Sequence, residues 1–172
     1  MNRVKKMVDL GLLLAAALIL SYIESLVPFG FGIPGIKLGL SNLAVLLCLY
    51  RWGAREAIAL NIMRILLAGF LFGNLYSIFY SLAGGFFSFL VMWMTKRINR
   101  LTMTGVSVLG GVFHNVGQLL VAAFVVETAG VFYFIPYLLL SGVLTGLLIG
   151  FIAKIILPHL IMFSNGSCRD YK

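Results

Sequence analysis

The run "LNIMRILLAG" sets Arg64 in the middle of an apolar stretch, with Asn61 three residues earlier on the same face of a helix. A bare guanidinium in hydrocarbon is costly, so it must face a cavity, a carboxylate or a ligand. Its planar fork of donors suits a carboxylate or phosphate. Glu24 is the candidate carboxylate, which leaves two arrangements open: an internal Arg64–Glu24 pair, or an anionic ligand held at Arg64. In "VFHNVGQLL", His114 and Gln118 share a helix face at i, i+4, with Asn115 beside them. Such side chains either join membrane helices by hydrogen bonds or supply the few polar groups of a ligand pocket.

A second group lies in "PFGFGIPGIKLGLSN", Pro28 to Asn42. Its prolines and glycines make a rigid connection rather than a plain polar turn. We expect a cap folded over the mouth of a pocket, sealed by Phe29 and Phe31, with Lys37 presenting a charge. Tyr76, Tyr80, Tyr133 and Tyr137 are expected at the same side of the molecule. They fit either an interfacial aromatic belt or the walls of that pocket.

The elements that must position these residues follow from composition. The chain has 172 residues, of which 62% are hydrophobic and 10% charged, and its mean hydropathy is +1.08. Soluble domains are nearer half apolar and a quarter charged, so the lipid bilayer is the expected surrounding. A crossing takes about 20 residues. Met7 to Val27, Leu101 to Val126 and Thr128 to Ala153 each suffice, and Glu56 to Lys96 holds two crossings joined at the Gly-Asn turn of "FGNLYS". Leu38 to Tyr50 is short. Charge decides that it crosses. With six spans, Arg3, Lys5, Lys6, Arg51, Arg55, Lys96, Arg97, Arg100, Lys154, Arg169 and Lys172 all fall on the cytoplasmic side with both termini. The net charge of +8 then reflects membrane orientation rather than binding to nucleic acid. The expectation is an all-α membrane protein: one domain, residues 1–172, of six transmembrane helices. The basic N-terminal run lacks a small-residue cleavage site and reads as a retained first helix. Cys48 and Cys168 suggest neither a disulfide nor a metal site.

Small residues mark close helix contacts. Gly142, Gly146 and Gly150 recur every four residues in the last span, and Ser77, Ser81 and Gly85 in the fourth. The first span carries Gly11, Ala15, Ala16, Ala17 and Ser21. These lie on more than one face, which leaves one face for a partner subunit.

The pattern "LLLAAALILSYIESLVPF…IPGIKLGLSNLAVLL" resembles the substrate-binding (S) components of energy-coupling factor transporters. More closely it is similar to the group called Gx transporter or heptaprenyl diphosphate synthase component I. The resemblance spans nearly the whole chain and implies six helices with a ligand pocket closed by loops. It implies that Lys37 and Asn42 contact the ligand, and that the small residues of the first helix face a coupling membrane subunit served by ATPase subunits. The other pocket candidates, namely Glu24, Asn61, Arg64, Tyr76, Tyr80, His114, Gln118 and Tyr137, rest on residue type and depth.

The synthase name can be weighed chemically. Prenyl diphosphate chemistry uses clustered carboxylates to hold Mg²⁺ against diphosphate. The five acids here, Asp9, Glu24, Glu56, Glu127 and Asp170, are scattered. We therefore expect no catalytic residue, no metal and no cofactor. No phosphate-binding P-loop motif is present, so any ATP-driven step belongs to a partner. Two readings follow. One is a subunit that captures a small anionic molecule for import; the other is a membrane accessory of heptaprenyl diphosphate or menaquinone biosynthesis without transport.

Overall fold

The computed structural model describes residues 3–26, 39–126 and 129–165. Six helices follow in order: α1 (Arg3–Leu26), α2 (Asn42–Arg51), α3 (Ala54–Phe72), α4 (Leu75–Ile98), α5 (Met103–Val126) and α6 (Ile135–Asn165), the last preceded by a 3-10 turn, Ala129–Phe134. The all-α membrane bundle expected from composition is the fold. Four helices are long and apolar enough to cross a membrane: α1, α4, α5 and the run Phe132–Ile161 that ends in α6. The 19-residue α3 carries Arg55, Glu56 and Arg64, which interrupt its apolar run.

Local chemistry sets the breaks. Asn74 is the N-cap of α4, its side-chain oxygen accepting the backbone N–H of Ser77 at 2.8 Å. This is the Gly-Asn turn read from "FGNLYS". At the other end of α4, Asn99 closes the helix in the left-handed region with φ 54°. Between α2 and α3 the chain reverses through Gly53 at φ 112°, a backbone setting that side chains resist.

Helix α2 has ten residues, about 15 Å of rise, half the hydrocarbon thickness of about 30 Å. Every residue from Ala44 to Leu49 is buried, and α2 packs on α1, α3, α4 and α6. The short segment is thus the axis of the bundle. A helix that meets protein on all sides can end inside the membrane, because neighbouring helices rather than lipid receive its terminal polar groups.

The glycine stripe of α6 packs against α5. A Cβ on Gly146 would stand 2.5 Å from Val108 Cα, one on Gly150 2.7 Å from Thr104 Cα, and one on Gly111 of α5 2.4 Å from the Gly142 carbonyl oxygen. Gly85 of α4 lies similarly close to Ile65 and Asn61 of α3. Along the α5–α6 seam backbones touch, as in small-residue membrane interfaces, whereas Gly85 makes room for side chains.

The stripe of α1 divides. Ala17 and Ser21 point inward with Leu13 and Glu24, while Gly11, Ala15 and Ala16 face outward. More than one face is indeed occupied, and the implication of the resemblance that these residues face a coupling subunit is corrected for Ala17 and Ser21. With spacings of four and three residues, 13, 17, 21 and 24 follow the helix repeat, so the buried face claims them.

Candidate functional site

Arg64 sits in the interior of the bundle with 4% of its surface exposed. Its position on α3 places it level with the start of α2, and the polar side chains of both helices converge on it. Nε donates to Asn61 Oδ1 at 3.1 Å. One terminal nitrogen donates to the same oxygen at 2.9 Å and to Asn42 Oδ1 at 3.0 Å. The other donates to Ser41 Oγ. The fork is thus filled by three neutral residues.

The acceptors are themselves held. Asn61 Nδ2 donates to the Gly85 carbonyl of α4 at 3.1 Å, and Asn42 Nδ2 to Ser88 Oγ at 3.4 Å. Asn61, Asn42, Ser41 and Ser88 are all buried. Just before α2, the backbone N–H of Gly39 donates to a Glu24 carboxylate oxygen. Gly39 has φ +81°, and a Cβ there would fall 3.0 Å from Asn42 Nδ2 and 3.1 Å from His114 Cδ2. Only glycine lets the chain pass so near both groups. His114 and Gln118 are also buried, and both lie against Gly84 of α4, where a Cβ would stand 3.0 Å from His114 Cε1 and 2.9 Å from Gln118 Cγ.

Glu24, Asn42, Asn61, Arg64, His114 and Gln118, drawn from α1, α2, α3 and α5, therefore surround one polar interior. Among the described residues no salt bridge joins Glu24 to Arg64; Glu24 acts on the guanidinium through its field alone. The direct pair weighed from sequence is replaced by a relay. Glu24 holds the chain at Gly39, and three residues later Asn42 holds Arg64. The guanidinium is thus bonded directly to neutral dipoles and balanced only through space by the Glu24 carboxylate of the same interior.

Other candidates separate from this cluster. Tyr76 and Tyr137 are 64% and 61% exposed, which corrects their reading as pocket walls. Tyr76 is exposed in the first turn of α4 beside Phe79, the place of a tyrosine in an aromatic belt. Tyr80 is buried in an apolar cluster with Leu119, Ala122 and Leu138. Asn115 is helix-to-helix glue, its amide donating to the Leu138 carbonyl at 2.7 Å and to Ser141 Oγ at 3.0 Å. Lys37, Phe29, Phe31 and the cap they were expected to form lie outside the described residues.

Ser41, Ser88, Gly39 and Gly85 complete the cluster; of these the sequence marked only Gly85, and that as a packing residue. Ser41 had a usable signal, being adjacent to Asn42 at the entrance to an apolar helix. A buried Ser88 carries none, since serine is tolerated in membrane helices for packing alone. Two clefts open elsewhere, one between α1 and α3 and one between α1 and α6.

Neither a curated protein nor a solved structure matches the chain. The family model described as heptaprenyl diphosphate synthase component I matches residues 13–156. That span runs from Leu13 on α1 to Ile156 on α6 and so takes in every side chain of the polar interior. A membrane bundle matched from its first helix to its last, with the Arg64 cluster inside the match, belongs to the heptaprenyl diphosphate synthase component I family.

Proposed function

We propose that the chain is a non-catalytic, membrane-embedded component of a prenyl diphosphate-forming system. In this reading both termini are cytoplasmic, a soluble synthase is the partner, and the Arg64 cluster holds a small anionic molecule of the isoprenoid or quinone-precursor class. The observation that carries the binding role is the buried guanidinium whose direct partners are all neutral. An anion entering that interior would take the place of one of these neutral acceptors on a guanidinium already held in position, so little ordering is needed on binding. Family membership supports the partner. The scattered acids support leaving the chemistry to it, since diphosphate–Mg²⁺ centres need carboxylates side by side.

A second reading, a binding subunit for import, draws on one specific feature. Gly11, Ala15 and Ala16 of α1 are exposed on the outside of the bundle, where small residues allow another membrane helix to come close.

Purification in mild detergent from the native membrane, followed by native mass spectrometry, tests both. The expected result is a retained anionic organic molecule, lost from Arg64→Ala, together with a co-purifying prenyl synthase. A membrane coupling subunit with ATPases in place of the synthase selects import. Identical spectra for wild type and Arg64→Ala, with no bound anion, overturn the binding role.

A further inference from the structure

We propose that the cleft between α1 and α3 is a binding site for one anionic phospholipid, its acyl chain in the cleft and its phosphate at Arg55. The cleft measures about 460 Å³. Leu10 and Leu14 form one wall, Leu60 and Met63 the other, and Gly11 lies between them. Beyond the backbone of its own helix turn and its chain neighbours, nothing comes within 4 Å of where a Gly11 side chain would begin. The missing side chain is what gives the slot its width. Along α3, the distance from the level of Arg55 to that of Met63 is about 12 Å. The slot is therefore long and apolar, the shape of a chain rather than of a compact metabolite.

One end is charged. Lys6 of α1 and Glu56 of α3 form an ion pair there, which also shows that the two helices start at the same end and run side by side. Those two charges neutralise each other. Arg55, which lines the cleft beside them, is exposed and makes no hydrogen bond or ion pair among the described residues. Arg3 and Lys5 lie one turn or less before Lys6 on α1 and add to the positive field. Basic pockets between membrane helices at this kind of boundary take anionic headgroups. Arg55 is the one guanidinium lining the cleft, Arg3 and Lys5 lying outside its lining, and one guanidinium matches the single charge of a phosphodiester. A diphosphate, with its greater charge, calls for several cations or a metal. This site is separate from the Arg64 interior and does not depend on its role.

The test uses the full-length protein in detergent, delipidated and then titrated with phosphatidylglycerol or phosphatidylcholine, with bound lipid counted by native mass spectrometry. Wild type is expected to retain one phosphatidylglycerol in preference to phosphatidylcholine. Arg55→Gln should reduce that preference about fivefold, the value of one cation near an anionic membrane surface. Gly11→Phe fills the slot into open space, keeps the fold, and should abolish retention of either lipid at this site. Arg64→Ala should leave it unchanged, which separates failure here from failure of the proposed function. The same preference in wild type and Arg55→Gln, or undiminished retention in Gly11→Phe, overturns the site. Displacement of the bound lipid by farnesyl diphosphate at lower concentration than phosphatidylglycerol overturns the phospholipid assignment.

Discussion

The seam between α5 and α6 and the seam along α1 are built in opposite ways. In the first, Gly111, Gly142, Gly146 and Gly150 bring two backbones into contact, with no room for even one added carbon. In the second, Gly11 faces open space, clefts lie on both sides of the helix, and its outer face carries Val4, Met7, Val8, Leu12 and Ile19 exposed. Of the apolar span of α1, 22% is buried, against 44% for α5 and 28% for the run that ends in α6, so the contrast lies in the glycine contacts more than in overall burial. The same residue type therefore has two meanings. Glycine in α5 and α6 locks the bundle, whereas Gly11 in α1 leaves a space that no neighbouring helix fills.

The largest effect that would break this contrast comes from adding bulk on the locked side. Gly111→Leu and Gly146→Leu must displace backbone atoms and should lower stability by about 3 kcal/mol or more, enough to prevent recovery of folded protein. The cheaper pair Gly111→Ala and Gly11→Ala sharpens it. Thermal melts in detergent should show a clear loss for the first, and no loss or a gain of up to about 1 kcal/mol for the second. Equal melting points for the two alanine variants would erase the distinction between the seams.

Next in size is the polar interior, which the locked helices hold in place. Arg64→Ala removes a buried, hydrogen-bonded charge and should weaken ligand binding by about 2–5 kcal/mol, roughly 30- to several thousand-fold. Arg64→Lys keeps the charge but cannot reach Asn61, Asn42 and Ser41 together, so it should recover only part of the affinity. Affinity can be followed by titration on protein that remains folded. Unchanged affinity with a sharply lowered melting point would make the fork architectural.

The α1 surface is probed by two neighbours. Ala15→Trp points outward and should disrupt partner co-purification with little change in melting point. Ala17→Trp points into the bundle, where Ala17 has no exposed surface, and should unfold it. If both variants melt like wild type, the inward face of α1 is wrongly assigned. The smallest effect belongs to the Lys6–Glu56 pair at the loose seam, its side chains about a third and a quarter exposed. Glu56→Gln should cost no more than about 1 kcal/mol and less in high salt, read from melts at two ionic strengths.

The amino-acid sequence by itself determined the membrane class, the number of helices and the break at Gly73–Asn74. Each depends on local composition: apolar runs of spanning length, charges between them, and a capping Asn that needs only its own backbone. It also singled out Arg64, Asn61, His114 and Gln118, because ionisable and amide groups in apolar helices stand out by type alone. Only the tertiary structure decided what meets them. That Arg64 is held by Ser41 and Asn42, rather than directly by Glu24, depends on where α2 begins relative to α3. The placement of α2 at the bundle axis, of Tyr76 on the outside and of Ala17 on the inside is likewise a matter of helix rotation and neighbours. Small and aromatic residues suit several environments in a membrane, since lipid and protein interior are equally apolar. Hydrophobicity therefore cannot choose a face there, and close packing between backbones does.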